Sequence, residues 1–383
     1  MKPLLPLLLS CALLHAGEIP PLFTTSTGNS ITTADQWRTE RRPELLELFR
    51  KNVYGRAPIG RPDGMQMEVT DTKPDAMDGA ATRKLVKISY RGPGGEGAIN
   101  LTLFIPNHRT KPAPCFLFIC NRPVENIDPT REKKSPFWPA EQIVARGYAA
   151  ATFFNGDVAP DKSDAWKAGV HAIFDPPQRA ADAWGTIAAW AWGASRCMDY
   201  LESDRDLDAR HVAVIGHSRG GKTALWAGAE DQRFALVISN DSGCTGAKLA
   251  HRKIGETVER INTVFPHWFC ANYKTWNGQD TELPFDQHEL LALIAPRLCK
   301  VASASADAGA DPEGEFTSCV YAAPAWPLLG AKPFPATQFP SPNTAIHEGG
   351  LGYHLREGKH DLNEWDWARH LDFADLHWGK PAP

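Results

Sequence analysis

The run Gly216-His217-Ser218-Arg219-Gly220-Gly221 sets one hydroxyl among glycines. It follows the apolar stretch Val212 to Ile215, which reads as a buried strand, and leads into Lys222 to Ala229, which reads as a helix. A turn this tight tolerates almost no side chain beside the serine. It holds Ser218 in strained backbone geometry, with its hydroxyl exposed and a helix N-terminus behind it. That is how a covalent nucleophile is presented, but a serine hydroxyl reacts only when a nearby base takes its proton and a carboxylate orients that base. In elbows of this kind the acid and then the histidine follow the serine along the chain. His360, in Glu357-Gly358-Lys359-His360-Asp361, fits the base: it follows the last strand-like run, sits in a glycine-containing loop and precedes the final helix. His347, His354, His370 and His377 compete with it. His370 and His377 fall on the helix, and His347 falls in or at the end of a strand. Two carboxylates suit the acid. Asp241 directly follows the strand after the elbow strand, and Asp307 follows the strand after that, the commoner place. Either could instead cap a turn beside Ser and Gly, as Asp311 does by its sequence context.

These side chains need a frame. Phe116 to Ile119, Tyr148 to Phe154, Val212 to Ile215, Leu236 to Ser239, Leu298 to Ala304 and Thr344 to His347 read as short strands. They alternate with helices, one face of the first being marked by Phe137, Ala140, Ile143 and Val144; the others run over Asp182 to Leu201, from Lys222, and from about Asn363 to His377. Alternation of this kind gives a mostly parallel sheet covered on both faces, with reactive groups at the carboxyl ends of the strands; together with the Ser218 turn, which resembles the nucleophile elbow of α/β-hydrolases, it implies the three-layer α/β-hydrolase fold. Before it, Lys84 to Tyr90 and Ala98 to Ile105 alternate as paired strands across Gly92-Pro93-Gly94-Gly95. Residues from about 17 to 80 read as an irregular segment with one amphipathic helix around Glu44 to Lys51. No linker or repeat divides the chain, so one catalytic domain is expected over 17–383.

Met1-Lys2-Pro3 followed by an apolar run from Leu4 to Leu14 and a cut after Ala16 reads as a secretory signal peptide, too short for a membrane span. Leu9-Ser10-Cys11 faintly resembles a lipoprotein box, but the apolar run continues past it, which favours a soluble secreted or periplasmic protein. With 41 basic and 45 acidic groups, the net charge of −4 offers no footprint for nucleic acid or an anionic membrane. Thirteen tryptophans supply core and also indole faces on which sugars can stack. Seven cysteines follow the leader, an odd number, leaving at least one unpaired and room for one or two disulfides. No Cys/His spacing suggests a metal, no cofactor is called for, and a monomer is expected.

Beyond the elbow, several collinear stretches resemble the glucuronoyl esterases, carbohydrate esterase family 15. They are Gly216 to Lys222, Ser239 to Gly243, Gly255-Glu256-Thr257, Phe265-Pro266-His267-Trp268-Phe269, Leu283 to Asp286, Ala295-Pro296-Arg297, Asp311 to Phe316 and the Gly-Lys-His-Asp segment at 358–361. The resemblance covers most of the chain from about Glu44 to Phe373. It implies cleavage of the ester between glucuronic or 4-O-methylglucuronic acid on xylan and lignin alcohols, with Ser218 as nucleophile and His360 as base. Asp241 matches the family's acid position, where Glu is common, and ranks first. Asp307 occupies a second acid position used by other members. The Arg219 backbone N–H is expected in the oxyanion hole, with its guanidinium as a further donor. Lys222 and Glu256 are implied to bind sugar hydroxyls; on spacing alone Lys222 reads as a solvated helix charge. Relatives commonly carry a tryptophan where this chain has Gly309, so Trp268 is the candidate replacement. An acetyl xylan or general carbohydrate esterase on the same triad is the alternative, and a carbohydrate-binding protein on a degenerate hydrolase fold is the non-enzymatic one.

Overall fold

The computed structural model describes residues 18–381; the leader read from the sequence lies outside them. Ten strands form one sheet: β1 (Gln66–Ala76), β2 (Ala81–Gly92), β3 (Gly95–Pro106), β4 (Ala113–Cys120), β5 (Ala149–Phe154), β6 (Leu207–His217), β7 (Leu236–Asn240), β8 (Leu298–Ala304), β9 (Thr344–Ile346) and β10 (Leu351–Arg356). Their order is β1-β2-β3-β5-β4-β6-β7-β8-β10-β9. From β5 to β10 every neighbouring pair is parallel, while β1 to β3, the β3–β5 junction and β9 are antiparallel. This is the α/β-hydrolase architecture expected from the alternating pattern.

The central parallel strands are mostly apolar where both of their faces are covered. Along β4, Cys115, Leu117 and Ile119 enter one core while Phe116, Phe118 and Cys120 enter the other; Val212 and Val214 oppose Ala213 and Ile215 in β6 in the same way. Helices Thr186–Ser203 and Arg219–Glu230 cover the first face, bringing Trp190, Trp192 and Trp226. Helices Ala140–Ala145 and Glu364–Trp378 cover the second, with Trp367 between Phe116 and Phe118. Most tryptophans are thus core.

Four sequence expectations need correction. Residues 66–76, read as part of an irregular segment reaching about residue 80, form the edge strand β1. Its side chains are almost all exposed, so it lacks the apolar alternation that reveals a half-buried strand. The helix expected at Glu44 to Lys51 is one part of a continuous helical run over 34–54, with π-helical turns on either side of Arg42–Phe49. β10, which leads directly to His360, was also not read as a strand. Finally, Cys115, Cys120, Cys197, Cys244, Cys270, Cys299 and Cys319 are all free and buried, so no disulfide forms among the described residues.

Candidate active site

Four neighbouring parallel strands end at one place. β6 delivers Ser218, β7 delivers Asp241, β8 leads to Asp307, and β10 leads to His360. The carboxyl ends of adjacent parallel strands are where α/β folds gather reactive groups. At the elbow, Ser218 has φ 57° and ψ −123°, a strained conformation for a residue with a side chain. A Cβ at Gly216 would run into the Gly220 carbonyl, so only glycine allows the strand and helix to meet this closely. The Ser218 N–H donates to the Asn240 carbonyl (2.9 Å), fastening the turn to β7. Arg219 opens the helix, where its N–H has no intrahelical acceptor.

His360 Nδ1 lies 2.6 Å from Asp307 Oδ2. The sequence ranked Asp241 ahead of Asp307; the structure puts the carboxylate contact of the ring on Asp307. Asp241 is nonetheless close, since it, Asp307 and His360 each offer a polar atom within 4.8 Å of the others. Its Oδ2 accepts from the Asp361 N–H (3.3 Å), so it supports the His360 loop from below, and its buried Oδ1 has no partner. Burial, reinforced by Glu315 and Asp307, pushes the Asp241 carboxyl well above the usual carboxylate range. The two acids therefore sit in different environments: Asp307 against the imidazole, Asp241 in the interior.

Arg356 shapes the loop that carries His360. Its guanidinium donates to the carbonyls of Glu357 (3.0 Å), Lys359 (2.8 Å) and Asp361 (3.2 Å), and to Asp366 Oδ2 (2.8 Å). The Ala306 N–H reaches the Gly358 carbonyl (2.7 Å), tying the Asp307 loop to the His360 loop. Glu315, fully buried, accepts from Ser303 Oγ (2.6 Å), Ser242 Oγ (3.1 Å) and the Gly243 N–H (2.8 Å). Burial raises it to about 7.

Ser218, Arg219, Lys222, Asp241, Glu256, Trp268, Asp307 and His360 all line one cleft of about 350 Å³, together with Gly309 and Arg260. Every residue assigned to the site from the sequence is thus in one place, while the competing His347, His354, His370 and His377 and the capping candidate Asp311 do not line it. Lys222 departs from its reading as a solvated charge. It is buried, its Nζ donates to the Ser242 carbonyl and lies 5.8 Å from the Trp268 ring, and burial lowers its pKa. The Arg219 guanidinium pairs with Asp161 and lies 4.8 Å from the Trp268 ring, which stacks on Phe265 with centroids 3.7 Å apart. Asp161 Oδ1 also accepts from Trp268 Nε1 and faces His267 Nε2, both at 2.8 Å. Burial would raise this carboxyl, but His267, Arg219 and Trp268 outweigh it and hold it at about 2. Asp161, Arg356 and Glu315 were not identified from the sequence as site residues: an Asp in a polar loop, an Arg at a strand end and a Glu in a helix carry no local signal of these contacts.

Residues 97–330 match the family model described as glucuronyl esterase, fungi. A protein named carbohydrate esterase from an unknown prokaryotic organism is 40% identical over 390 residues, covering 94% of this chain and 89% of its own length. The 4-O-methyl-glucuronoyl methylesterase of Podospora anserina is 28% identical over 292 residues, covering 74% of this chain; the match spans 54% of that relative. Among solved structures, a glucuronoyl esterase from Solibacter usitatus superposes with a TM-score of 0.89 at 39% identity, covering 96% of this chain and 100% of the other. A promiscuous CE15 esterase from a marine bacterial metagenome gives 0.84 at 40% identity, covering 94% and 97%. Among the described residues no helix is long and apolar enough to cross a membrane.

Proposed function

Because the chain belongs to the glucuronoyl esterase family, carbohydrate esterase family 15, and is a carboxylic ester hydrolase, we propose that it hydrolyses the ester between glucuronic or 4-O-methylglucuronic acid of glucuronoxylan and lignin alcohols through an acyl-enzyme on Ser218. Ser218 Oγ attacks the ester carbonyl while His360 takes its proton. The C–O bond to the alcohol breaks and His360 returns the proton to the departing oxygen. A water deprotonated by His360 then cleaves the acyl–serine bond and frees the uronic acid.

The observation that carries this reading is the His360–Asp307 contact at 2.6 Å, facing the same cleft as the strained Ser218. A carboxylate on Nδ1 fixes the tautomer that leaves Nε2 to act as base, and stabilises the imidazolium. The Arg219 N–H at the helix start is the proposed oxyanion donor. Its guanidinium, held by Asp161 against Trp268, and the ammonium of Lys222 give the cleft a positive wall for the sugar acid. Glu256 and Trp268 are the proposed contacts for sugar hydroxyls and the ring. Export through the N-terminal leader belongs to the same proposal.

The test is hydrolysis of benzyl glucuronate beside an aryl acetate, with Ser218→Ala as control. Glucuronate turnover well above acetate, lost in Ser218→Ala, is expected. Full activity in Ser218→Ala would remove the catalytic assignment. A broader carbohydrate esterase is the second reading, favoured by Gly309, where the cleft wall carries no side chain; acetate turnover alone would select it.

A further inference from the structure

His217 is the last residue of β6 and the immediate neighbour of the nucleophile. The two-residue period of the strand turns its side chain to the same face as Ala213 and Ile215, where it is fully buried. Three side chains enclose its ring. Asn240, in register with it across β6 and β7, accepts a hydrogen bond on Oδ1 from His217 Nδ1 (2.6 Å). Phe137 meets the ring edge to face, with centroids 5.3 Å apart, and the Arg122 guanidinium lies 4.7 Å from Phe137 in turn. The third neighbour is the imidazole of His360, its centroid 4.5 Å from that of His217 and the two planes 46° apart.

The first two contacts fix the His217 ring, and the third puts it to use. The Asn240 carbonyl also takes the Ser218 N–H (2.9 Å), so one residue of β7 ties the elbow by its main chain and the His217 ring by its side chain. His360 hangs from an exposed loop, and Asp307 grips its ring at Nδ1 alone. A single hydrogen bond leaves a ring free to rock about that contact, and a rigid wall against its face removes the freedom. The wall must also be neutral, because His360 becomes an imidazolium when it takes the Ser218 proton, and a second cation beside it would oppose that step. Burial, followed by the positive charges of His360, Arg122 and Arg356, holds His217 well below the ordinary histidine range, against the pull of the Asn240 hydrogen bond. The ring therefore stays neutral, with its one proton on Nδ1 given to Asn240.

We propose that His217 is a positioning residue for the catalytic base: its tethered ring is the wall against which the His360 imidazole is seated, so that the strand presenting the nucleophile also sets the orientation of the base. The proposal rests on the reading of His360 as that base. Asp307 fixes the ring at its edge and His217 fixes it at its face. Nucleophile and wall are consecutive residues, so the two reacting groups share one rigid reference.

The test is kcat and KM for benzyl glucuronate in His217→Asn and His217→Phe, each also combined with His360→Ala. Asn keeps a donor for Asn240 and removes the ring; Phe keeps a flat neutral ring and removes the donor. His217→Asn is expected to lower kcat about ten- to hundredfold with KM within about twofold, the scale of a base displaced by about an ångström. His217→Phe is expected to retain most of the wild-type kcat. In the His360→Ala background His217→Asn is expected to cost nothing further, because a residue that acts through the base has no effect once the base is gone. Chemical denaturation of each variant ensures that rates are compared for folded protein, and His217→Ala, with the same expectations, replaces an Asn variant that does not fold. Unchanged kcat in the ringless variant, an equal loss in His217→Phe, or a loss that persists undiminished in the His360→Ala background each overturns the role. Full activity of His360→Ala alone would overturn the reading of the base itself.

Discussion

Replacing Asp307 by Asn separates the two acids most cleanly, because the substitution preserves shape and removes only the charge beside His360. At 2.6 Å and an effective dielectric near 20, the attraction between the carboxylate and an imidazolium is at most about 6 kcal/mol. The His360 side chain is 38% exposed, and solvent screening reduces that figure. Asn also favours the wrong tautomer, by donating to Nδ1 where the carboxylate accepts. A loss of about 3–5 kcal/mol in transition-state stabilisation follows, roughly 10²- to 10⁴-fold in kcat. Asp241→Asn leaves the His360 contact in place and replaces a carboxyl that burial already keeps above its ordinary range. Its cost should stay within about tenfold, with KM little changed. Steady-state kinetics on benzyl glucuronate for the two single variants and the double variant decide the matter. Should Asp241→Asn lose more activity than Asp307→Asn, the argument from the Nδ1 contact is wrong and the buried acid is the one that supports the base.

Gly309→Trp should fit, because a Cβ there meets only Asp307 Oδ1 at 3.6 Å, and the added indole is expected to lower KM for glucuronate esters about fivefold without raising acetate turnover. Asp161→Asn should loosen Arg219, His267 and Trp268 together and lower kcat/KM about tenfold or more. Asp161 is held below its unfolded value of 3.8, so it stabilises the fold above that pH and the benefit fades as pH falls toward about 2; after discounting for a 22% exposed side chain this is about 1 kcal/mol, read as a stability gap to Asp161→Asn that narrows in denaturant titrations from pH 5 downward. Glu315 has the opposite sign. Raised from 4.5 to about 7, it favours the fold below pH 4.5 and loses that contribution as pH rises through 7, so Glu315→Gln should flatten the stability profile between pH 5 and 8. Trp367→Ala, emptying the space between Phe116 and Phe118, should cost about 3–5 kcal/mol by chemical denaturation with little effect on KM.

The central sheet was legible because β4, β7 and the second half of β6 are short apolar runs separated by helical periodicity, a pattern set by two-sided burial. β1 was invisible for the converse reason: an edge strand with exposed side chains has no face to advertise. That Ser218 and His360 face one cleft could be anticipated because each sits in a local turn at a strand end. The choice between Asp241 and Asp307 could not, since both follow a strand end; what separates them is which carboxylate the His360 ring meets, a contact between residues 53 apart in the chain. On spacing alone Lys222 reads as solvated, because helical spacing says which residues share a face but not that Trp268 will lie beside that face. Asp161 shows the limit most clearly. Its three partners come from two distant segments, and nothing in its own neighbourhood hints at any of them.

The seven buried, unpaired thiols have a practical consequence. Burial pushes Cys270 up to about 11 and Cys120 and Cys299 to about 12, so at neutral pH none of these three is a thiolate and none is within reach of an oxidant or alkylating reagent. None of the seven is held in the fold by a partner thiol. Each sulfur also becomes a silent clock. Cys115 in β4, Cys197 in the helix over one sheet face and Cys319 beyond β8 react only when their own region opens, so the order in which a thiol reagent reaches them during slow denaturation reports which layer of the sandwich comes apart first.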